Sequence, residues 1–493
     1  MPIRPLSRDR TWLFPPTLEE LIPPDHPARF VAAFVGELDR AAWAKLEIAP
    51  AGDPLGGPAY DPRAVLCVWL YGFMTGVRSS RKLEGACRDQ IPFLWLTGWE
   101  HPDHNTLWRF YQAHRQQMRE LFKRSVRTAV RMGLVDLAMQ AVDGTRIAGN
   151  AARKRTYDQA SLERLLAKTE AAIADLEAQN VAGADPPPPR LPQELAQAQA
   201  LREQVQAALT QLAAEDEMQQ ERINLTDPDA TIQKNQHGYS VGYNAQAMVS
   251  RLDQKVAGRT GLFITAADVT NDADDHSQLG PMIDQAREIT GQTVPMTLAD
   301  GGYHSGPNLE ACTEREQSIA MPEAQQKALE DPYHKQVFRY APEADTFTCP
   351  KGQTLYYLRT TSRKRRPKAR IYRAAAGICQ ACPAFTACAK DRAHGRTIET
   401  GPQEKYLREH RVWMATTEAK ELYRHRKELP EPTFGILKEQ QGARRFLLRG
   451  LDQVRAEWIL LATAFNLRTL YRVWANGLRR VPQPPSISAP AAA

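Results

Sequence analysis

The sequence predicts an α/β protein in which helices pack on a mixed sheet. Three observations lead there. Short apolar or alternating runs fall at Leu137–Val142, Tyr239–Val249, Leu262–Val269 and Val294–Leu298, the pattern of half-buried or buried strands. Helix-spaced apolar stretches separate and follow them. The order is strand, insertion, strand, strand, helix, strand, helix, strand, which suits one sheet covered by helices. A chain of 493 residues, 42% hydrophobic and 25% charged, buries a real core, so disorder as a whole is excluded and about three domains are expected.

Residues 1–135 read as helical. Asp25-His26-Pro27 leads into Phe30, Val31, Phe34, Val35 and Leu38, and Pro62 suits the first turn of a helix running to Phe73. Thr106 begins another, with Leu107, Phe110 and Tyr111 at helical spacing. Arg78, Arg81, Lys82 and Arg88 lie between helices. Such a segment suits a DNA reader and equally a structural subdomain. The run ending at Asp143 is a buried strand that delivers a carboxylate at its end. Apolar spacing over 161–180 and 193–215, broken by Pro186–Pro189, reads as an acidic helical hairpin inserted at 159–222. A helix is expected over His276–Ile289, another after Pro307, and a short strand at Ser318–Met321. Helices return over Gln403–Arg426 and, with breaks at glycines, Glu431–Trp474. The core therefore spans 136–335 and 400–475, interrupted by a cysteine-rich insertion at 340–399. Residues 480–493 read as a disordered low-complexity tail.

Charge is uneven. Residues 351–480 hold 28 Lys+Arg against 11 Asp+Glu, within a chain whose formal net charge is only +7. A concentrated cationic segment favours a polyanionic partner, most simply nucleic acid. No run of eighteen apolar residues occurs, so no membrane span is expected. The first residues lack the apolar stretch of a signal peptide, and a cytoplasmic place is expected. There the seven cysteines are thiols or metal ligands before they are disulfides. Cys349, Cys379, Cys382 and Cys388 have the ligand types for one tetrahedral structural zinc, the other reading being free loop thiols. Cys67, Cys87 and Cys312 read as buried structural thiols. Between the first two of the four lies Arg363-Lys364-Arg365-Arg366, suited to phosphates or else a solvated basic loop.

Asp143 and Asp300 each end an apolar strand and precede glycine. If those strands are neighbours, both carboxylates meet at one sheet edge, ready for divalent metals. Asp-Gly is also an ordinary turn signal. Asp268, Asp272, Asp274 and Asp275 form a rival acidic cluster near His276, read as loop and helix-start residues with one able to assist metal binding. Asn244 and Gln246 read as ordinary strand residues beside the site, with DNA contact the other reading, and His304 as a loop histidine, with a place beside DNA or metal the other reading.

The flanking residues are more specific. Val142-Asp143-Gly144-Thr145-Arg146-Ile147 and Leu298-Ala299-Asp300-Gly301-Gly302-Tyr303 are followed by Tyr423, then Glu431-Pro432-Thr433-Phe434-Gly435-Ile436-Leu437-Lys438. This series resembles the DDE transposases of bacterial insertion sequences. Gly442-Ala443-Arg444-Arg445-Phe446, Tyr60-Asp61-Pro62 and Pro102-Asp103-His104-Asn105-Thr106 resemble them too, so the likeness runs from about Leu21 to Tyr471. The helical insertion and the cysteine cluster narrow it to the eleven-eighty-two branch. The resemblance implies a ribonuclease-H-like core and Mg²⁺ (or Mn²⁺) at Asp143, Asp300 and Glu431. It also implies cutting at terminal inverted repeats with transfer to target DNA, by a homodimer at the nucleoid. Lys438, Arg444 and Arg445 are expected on DNA phosphates, with Arg363–Arg366, Arg78, Arg81 and Lys82. Two departures stand out: Pro430 precedes Glu431, and the motif's arginine is out of register. Arg426 fits the spacing to Tyr423, while Lys427 fits the spacing to Glu431. Two further readings are a nuclease of the same fold that cannot join strands, and an inactive DNA-binding relic.

Overall fold

Proline and aspartate set the N-terminal helices. In α1 (Pro27–Gly36) and α2 (Pro62–Thr75) a proline takes the first turn, where its missing N–H costs nothing. Asp61 caps α2 by accepting from the Arg63 amide at 2.8 Å. Gly76 ends it at φ +83°, with a Cβ there 2.9 Å from the Gln440 carbonyl, so only glycine fits. Next come α3 (Ser80–Asp89), α4 (His104–His114) and α5 (Arg119–Arg131). The cap of α4 is Asp103, which accepts from Thr106, so this helix starts two residues before the expected Thr106. The computed structural model describes residues 17–49, 59–181, 191–215, 221–235, 238–323, 331–361, 368–389 and 393–480. Arg363, Lys364, Arg365 and Arg366, the Pro186–Pro189 tip and the tail beyond Arg480 lie outside these.

A six-stranded mixed sheet follows. Its strands are β1 (Val135–Ala148), β4 (Thr231–Asn235), β5 (Gly238–Leu252), β6 (Leu262–Thr270), β7 (Met296–Leu298) and β8 (Ser318–Ala320), in the order β4-β5-β1-β7-β8 with β6 also on β5. β7 runs parallel to β1 and to β8, and the other pairs are antiparallel. β1 is longer than expected. It runs through Asp143 to Ala148 because β5 keeps pairing with it as far as Gly242, after β7 has ended at Leu298. Helix α8 (Leu279–Thr290), helix α9 (Gly306–Glu314) and the later helix α10 (Glu404–Met414) cover one face, around Met248, Met282, Leu309 and Met321. The inserted hairpin, α6 (Gln159–Val181) and α7 (Leu191–Glu215), has its own small core of Leu162, Val205, Leu212 and Ile223. Its two ends meet in a ribbon, β2 (Thr156–Asp158) against β3 (Arg222–Asn224).

Strands fill much of the stretch where the cysteine-rich insertion was expected. They form a five-stranded antiparallel meander, β9 (Arg339–Ala341), β10 (Thr346–Thr348), β11 (Thr354–Thr361), β12 (Ala369–Arg373) and β13 (Thr397–Thr400). Phe338, Phe347, Leu355, Tyr372 and Ile398 fill its core, so apolar burial organises this segment beside the cysteines.

The C-terminal part runs through α11 (Thr417–Arg424), α12 (Pro430–Glu439) and the long α13 (Leu451–Arg480). One continuous core joins α1, α2 and α5 to the sheet and to α13, with Phe30 against Tyr471 and Trp474. Arg78 lies inside this junction. It is 9% exposed, pairs with Glu457 at 2.8 Å, and donates to the carbonyls of Gly442 and Arg445. Its donors are spent on the protein, which removes it from the expected DNA contacts. Glu457 also accepts from the amides of Leu447 and Leu448.

Candidate active site

Register brings the two aspartates together. Ala141 of β1 is level with Leu298 of parallel β7, so two residues further on Asp143 and Asp300 stand in step, on the same side of their strands. Asp300 caps the turn after β7 by accepting from the Gly302 amide at 2.8 Å. The strand neighbourhood on which the sequence argument was conditional is therefore met. Glu431 arrives on the first turn of α12, where Pro430 occupies the initial helical position and needs no N–H partner. The proline that departed from the expected motif is a helix start.

A cation stands between the three. Arg426, in the 3₁₀ turn His425–Glu428, places Nη2 2.8 Å from Asp143 Oδ1 and 3.6 Å from Asp300 Oδ2, and Nη1 3.7 Å from Glu431 Oε1. Its side chain is 11% exposed, whereas Lys427 is exposed, so the structure selects Arg426 from the two candidate positions. Its buried Nε has no hydrogen-bond partner among the described residues. Burial pushes the Asp143 carboxyl up to about 7, against the pull of Arg426 and with further repulsion from Asp300.

Behind the aspartates lies a polar cluster that sequence reasoning did not assemble. Asp275 accepts from Arg146 Nη1 at 3.0 Å and Nη2 at 3.3 Å, from Asn244 Nδ2 at 2.6 Å and from Gln246 Nε2 at 2.8 Å. Tyr303, which follows the Asp300 turn, donates its hydroxyl to Gln246. Burial alone would raise the Asp275 carboxyl, but these donors outweigh it and hold it below its ordinary range. Asn244 and Gln246 are fully buried. The other three acids near His276 have partners elsewhere: Asp268 pairs with Arg455 of α13, Asp272 accepts from Ser277, and Asp274 accepts from the His276 amide. The alternating polar residues Arg146, Asn244 and Gln246 on otherwise apolar strands were the available signal.

Lys438 lies two turns along α12 from Glu431. Its Nζ donates to Thr145 Oγ1 at 2.5 Å, beside Asp143, and burial with repulsion from Arg444 lowers its amine below the ordinary value. Arg444 is exposed and paired with Glu439. Arg445 bridges Ala148 through its backbone. Arg81 and Lys82 are exposed on α3. Cys349, Cys379, Cys382 and Cys388 line one cavity of about 30 Å³ with Phe385 and Arg396. Among the described residues no three His, Cys, Asp or Glu side chains are grouped closely enough, as they stand, to hold a metal ion. Cys67, Cys87 and Cys312 are buried.

With this geometry in place, two family models match parts of the chain. Residues 348–471 match a transposase DDE domain, and residues 16–113 match a transposase domain. Both matched stretches are those of an insertion-sequence DDE transposase. No curated protein matches it. The DDE-domain match contains Arg426, Glu431, Lys438 and the four clustered cysteines, while Asp143 and Asp300 precede it. As a DDE transposase the protein is an enzyme of DNA transposition that binds DNA and depends on a divalent metal. No helix among the described residues is long and apolar enough to cross a membrane.

Proposed function

We propose that this transposase uses Asp143, Asp300 and Glu431 to hold Mg²⁺ or Mn²⁺, cuts the terminal inverted repeats of its element, and joins the freed 3′ ends to target DNA. The observation that carries this reading is the convergence of the three carboxylates on one buried cation, Arg426. Hard carboxylate oxygens are the donor set divalent magnesium and manganese prefer, and the space they enclose already accepts positive charge. Ligation requires the carboxylates to close where the guanidinium now lies. Divalent cations in such sites activate the attacking oxygen and offset charge on the leaving one. As a ligand Asp143 would be ionised, its charge offset by the cation. The ammonium of Lys438, held beside Thr145, binds a backbone phosphate next to the site, and Arg444, Arg445, Arg81 and Lys82 extend that track.

The mixed sheet with acids at adjacent strand ends supports the ribonuclease-H-like core. The hairpin after the first aspartate and the cysteines before the glutamate support the eleven-eighty-two branch. We assign the four cysteines to a structural zinc, since four soft thiolates lining one cavity are the donor set that metal prefers, and binding it would require them to draw closer together. The N-terminal helices recognise the element ends, a homodimer brings two ends together, and the protein works at the nucleoid.

The test is incubation with Mg²⁺ or Mn²⁺ and labelled DNA from the ends of the protein's own locus, beside Asp300→Asn. Cleavage at the repeat termini with strand joining, both lost in the variant, is expected. Cleavage without joining points to a nuclease, and binding without cleavage points to a relic.

A further inference from the structure

Asp275 sits at the start of a 3₁₀ turn, His276–Gln278, yet it caps nothing there and turns its carboxylate into the protein. Its partners come from β1, which carries Asp143, and from β5, which pairs with it. Arg146 is three residues beyond Asp143 on β1. Gln246 stands opposite Gly144 across the β1–β5 pair, and Asn244 stands opposite Arg146. A Cβ built on Gly144 would lie 2.4 Å from Asp275 Oδ1, and one on Gly302 would lie 3.4 Å from its Oδ2. The carboxylate is thus wedged between the glycines that follow the Asp143 and Asp300 positions. From there the links run in a chain from one aspartate's turn to the other's strand: Tyr303 to Gln246, Gln246 to Asp275, Asp275 to Arg146, and Arg146 back along β1 to Asp143. The Trp458 indole anchors the chain of contacts to α13 by donating to the Gln246 carbonyl at 2.9 Å.

We propose that Asp275 is a positioning residue of this transposase, whose ionised carboxylate fixes the spacing of Asp143 and Asp300 without touching metal or DNA. The inference rests on the metal role proposed above for those two residues. Charge matters because four donor bonds converge on one acceptor group. A neutral amide in its place presents an NH₂ to Arg146 and leaves that guanidinium buried without its counter-ion. Ligand carboxylates held by such outer partners bind metal in the correct geometry, and losing one partner typically weakens metal binding or activity by about 10–100-fold.

The experiment is Mn²⁺ titration by calorimetry on the full chain, with DNA-end cleavage kinetics and thermal unfolding measured on the same samples. Wild type is compared with Asp275→Asn, Asp275→Asn/Arg146→Gln and Asp300→Asn. Asp275→Asn is expected to bind Mn²⁺ about 10–100-fold more weakly and to lose kcat in proportion, with KM for DNA changed less than about twofold. The double variant, which restores charge balance around Asn244 and Gln246, is expected to recover part of both losses. Asp300→Asn is expected to lose the site outright. Unchanged Mn²⁺ affinity and kcat in Asp275→Asn, with only a lower melting temperature, would overturn the positioning role while leaving the metal site intact. Wild-type Mn²⁺ binding by Asp300→Asn would instead overturn the metal-site reading. Should Asp275→Asn fail to fold, the charge-balanced double variant carries the measurement, and wild-type affinity and kcat in it, with Asp300→Asn deficient, reject the role.

Discussion

Replacing Arg426 with glutamine separates two jobs that its guanidinium combines: neutralising the acid trio and occupying the space between its members. The Arg426–Asp143 contact is 2.8 Å between atoms, and both side chains are largely buried. With charge centres ~4 Å apart and an effective dielectric of ~20, the pair is worth roughly 4 kcal/mol. Glu431 is half exposed, so its share is screened to a small fraction of that. Asp143 recovers part of the loss by taking up a proton, because burial already pushes its carboxyl up to about 7 beside the arginine and removing Arg426 raises it further. Without metal, Arg426→Gln is therefore expected to lose about 3 kcal/mol, near the low end for breaking a buried pair from one side. Metal should reverse the order. Saturating Mn²⁺ stabilises the wild type only after displacing the arginine, whereas in the variant the carboxylates are already vacant. Urea unfolding with chelator and with Mn²⁺, at pH 8, gives the four free energies needed. The variant should gain at least ~2 kcal/mol more from metal than the wild type does, under a stabilisation that grows as RT ln(1 + [L]/Kd). Equal gains in the two proteins, or an unchanged stability in chelator, would refute the placement of Arg426 as the trio's counter-ion.

Other outcomes follow from the same packing and electrostatics. Asp143 has a folded-state value near 7 against an ordinary carboxylate value when unfolded, so its contribution is present below about pH 4 and lost as pH rises through 7. Metal-free wild type should thus lose stability relative to Asp143→Asn between pH 4.5 and 8, by an amount on the order of a few kcal/mol, read from urea midpoints. Glu457→Gln leaves Arg78 buried without its counter-ion and should cost about 3–5 kcal/mol in unfolding. Gly144→Ala must push Asp275 and Gln246 aside, and a loss of about 1–3 kcal/mol is expected in the same assay. Cys379→Ser and Cys388→Ser should lower bound zinc from one equivalent towards none by elemental analysis of the purified protein.

Much of the fold was legible because burial leaves a period in the sequence. β5, β6 and α8 follow the runs around Tyr239, Leu262 and Leu279 to within a few residues. The approach of Asp143 to Asp300 could be stated only conditionally, since strand order is a long-range property that no local spacing fixes. Three features escaped. The meander at 339–400 is made of short strands whose apolar residues, such as Phe347 and Tyr372, are too sparse to show alternation. Arg78 looked like a surface cation because the carboxylate that claims it, Glu457, lies 379 residues away. Asp275 looked like a helix-start residue for a similar reason: its local context favours capping, and its actual partners come from β1 and β5.

The ribbon of β2 and β3 gives the protein a tolerance of a kind its catalytic strands lack. Thr156 is level with Asn224, so the chain leaves for the helical hairpin and returns at one point, and everything beyond that neck packs chiefly on itself. Length can be added or removed there without shifting the register of β1 against β7. The hairpin is accordingly a natural socket. A fluorescent reporter or an affinity handle grafted in its place would travel with the enzyme while the three carboxylates stay where the sheet puts them.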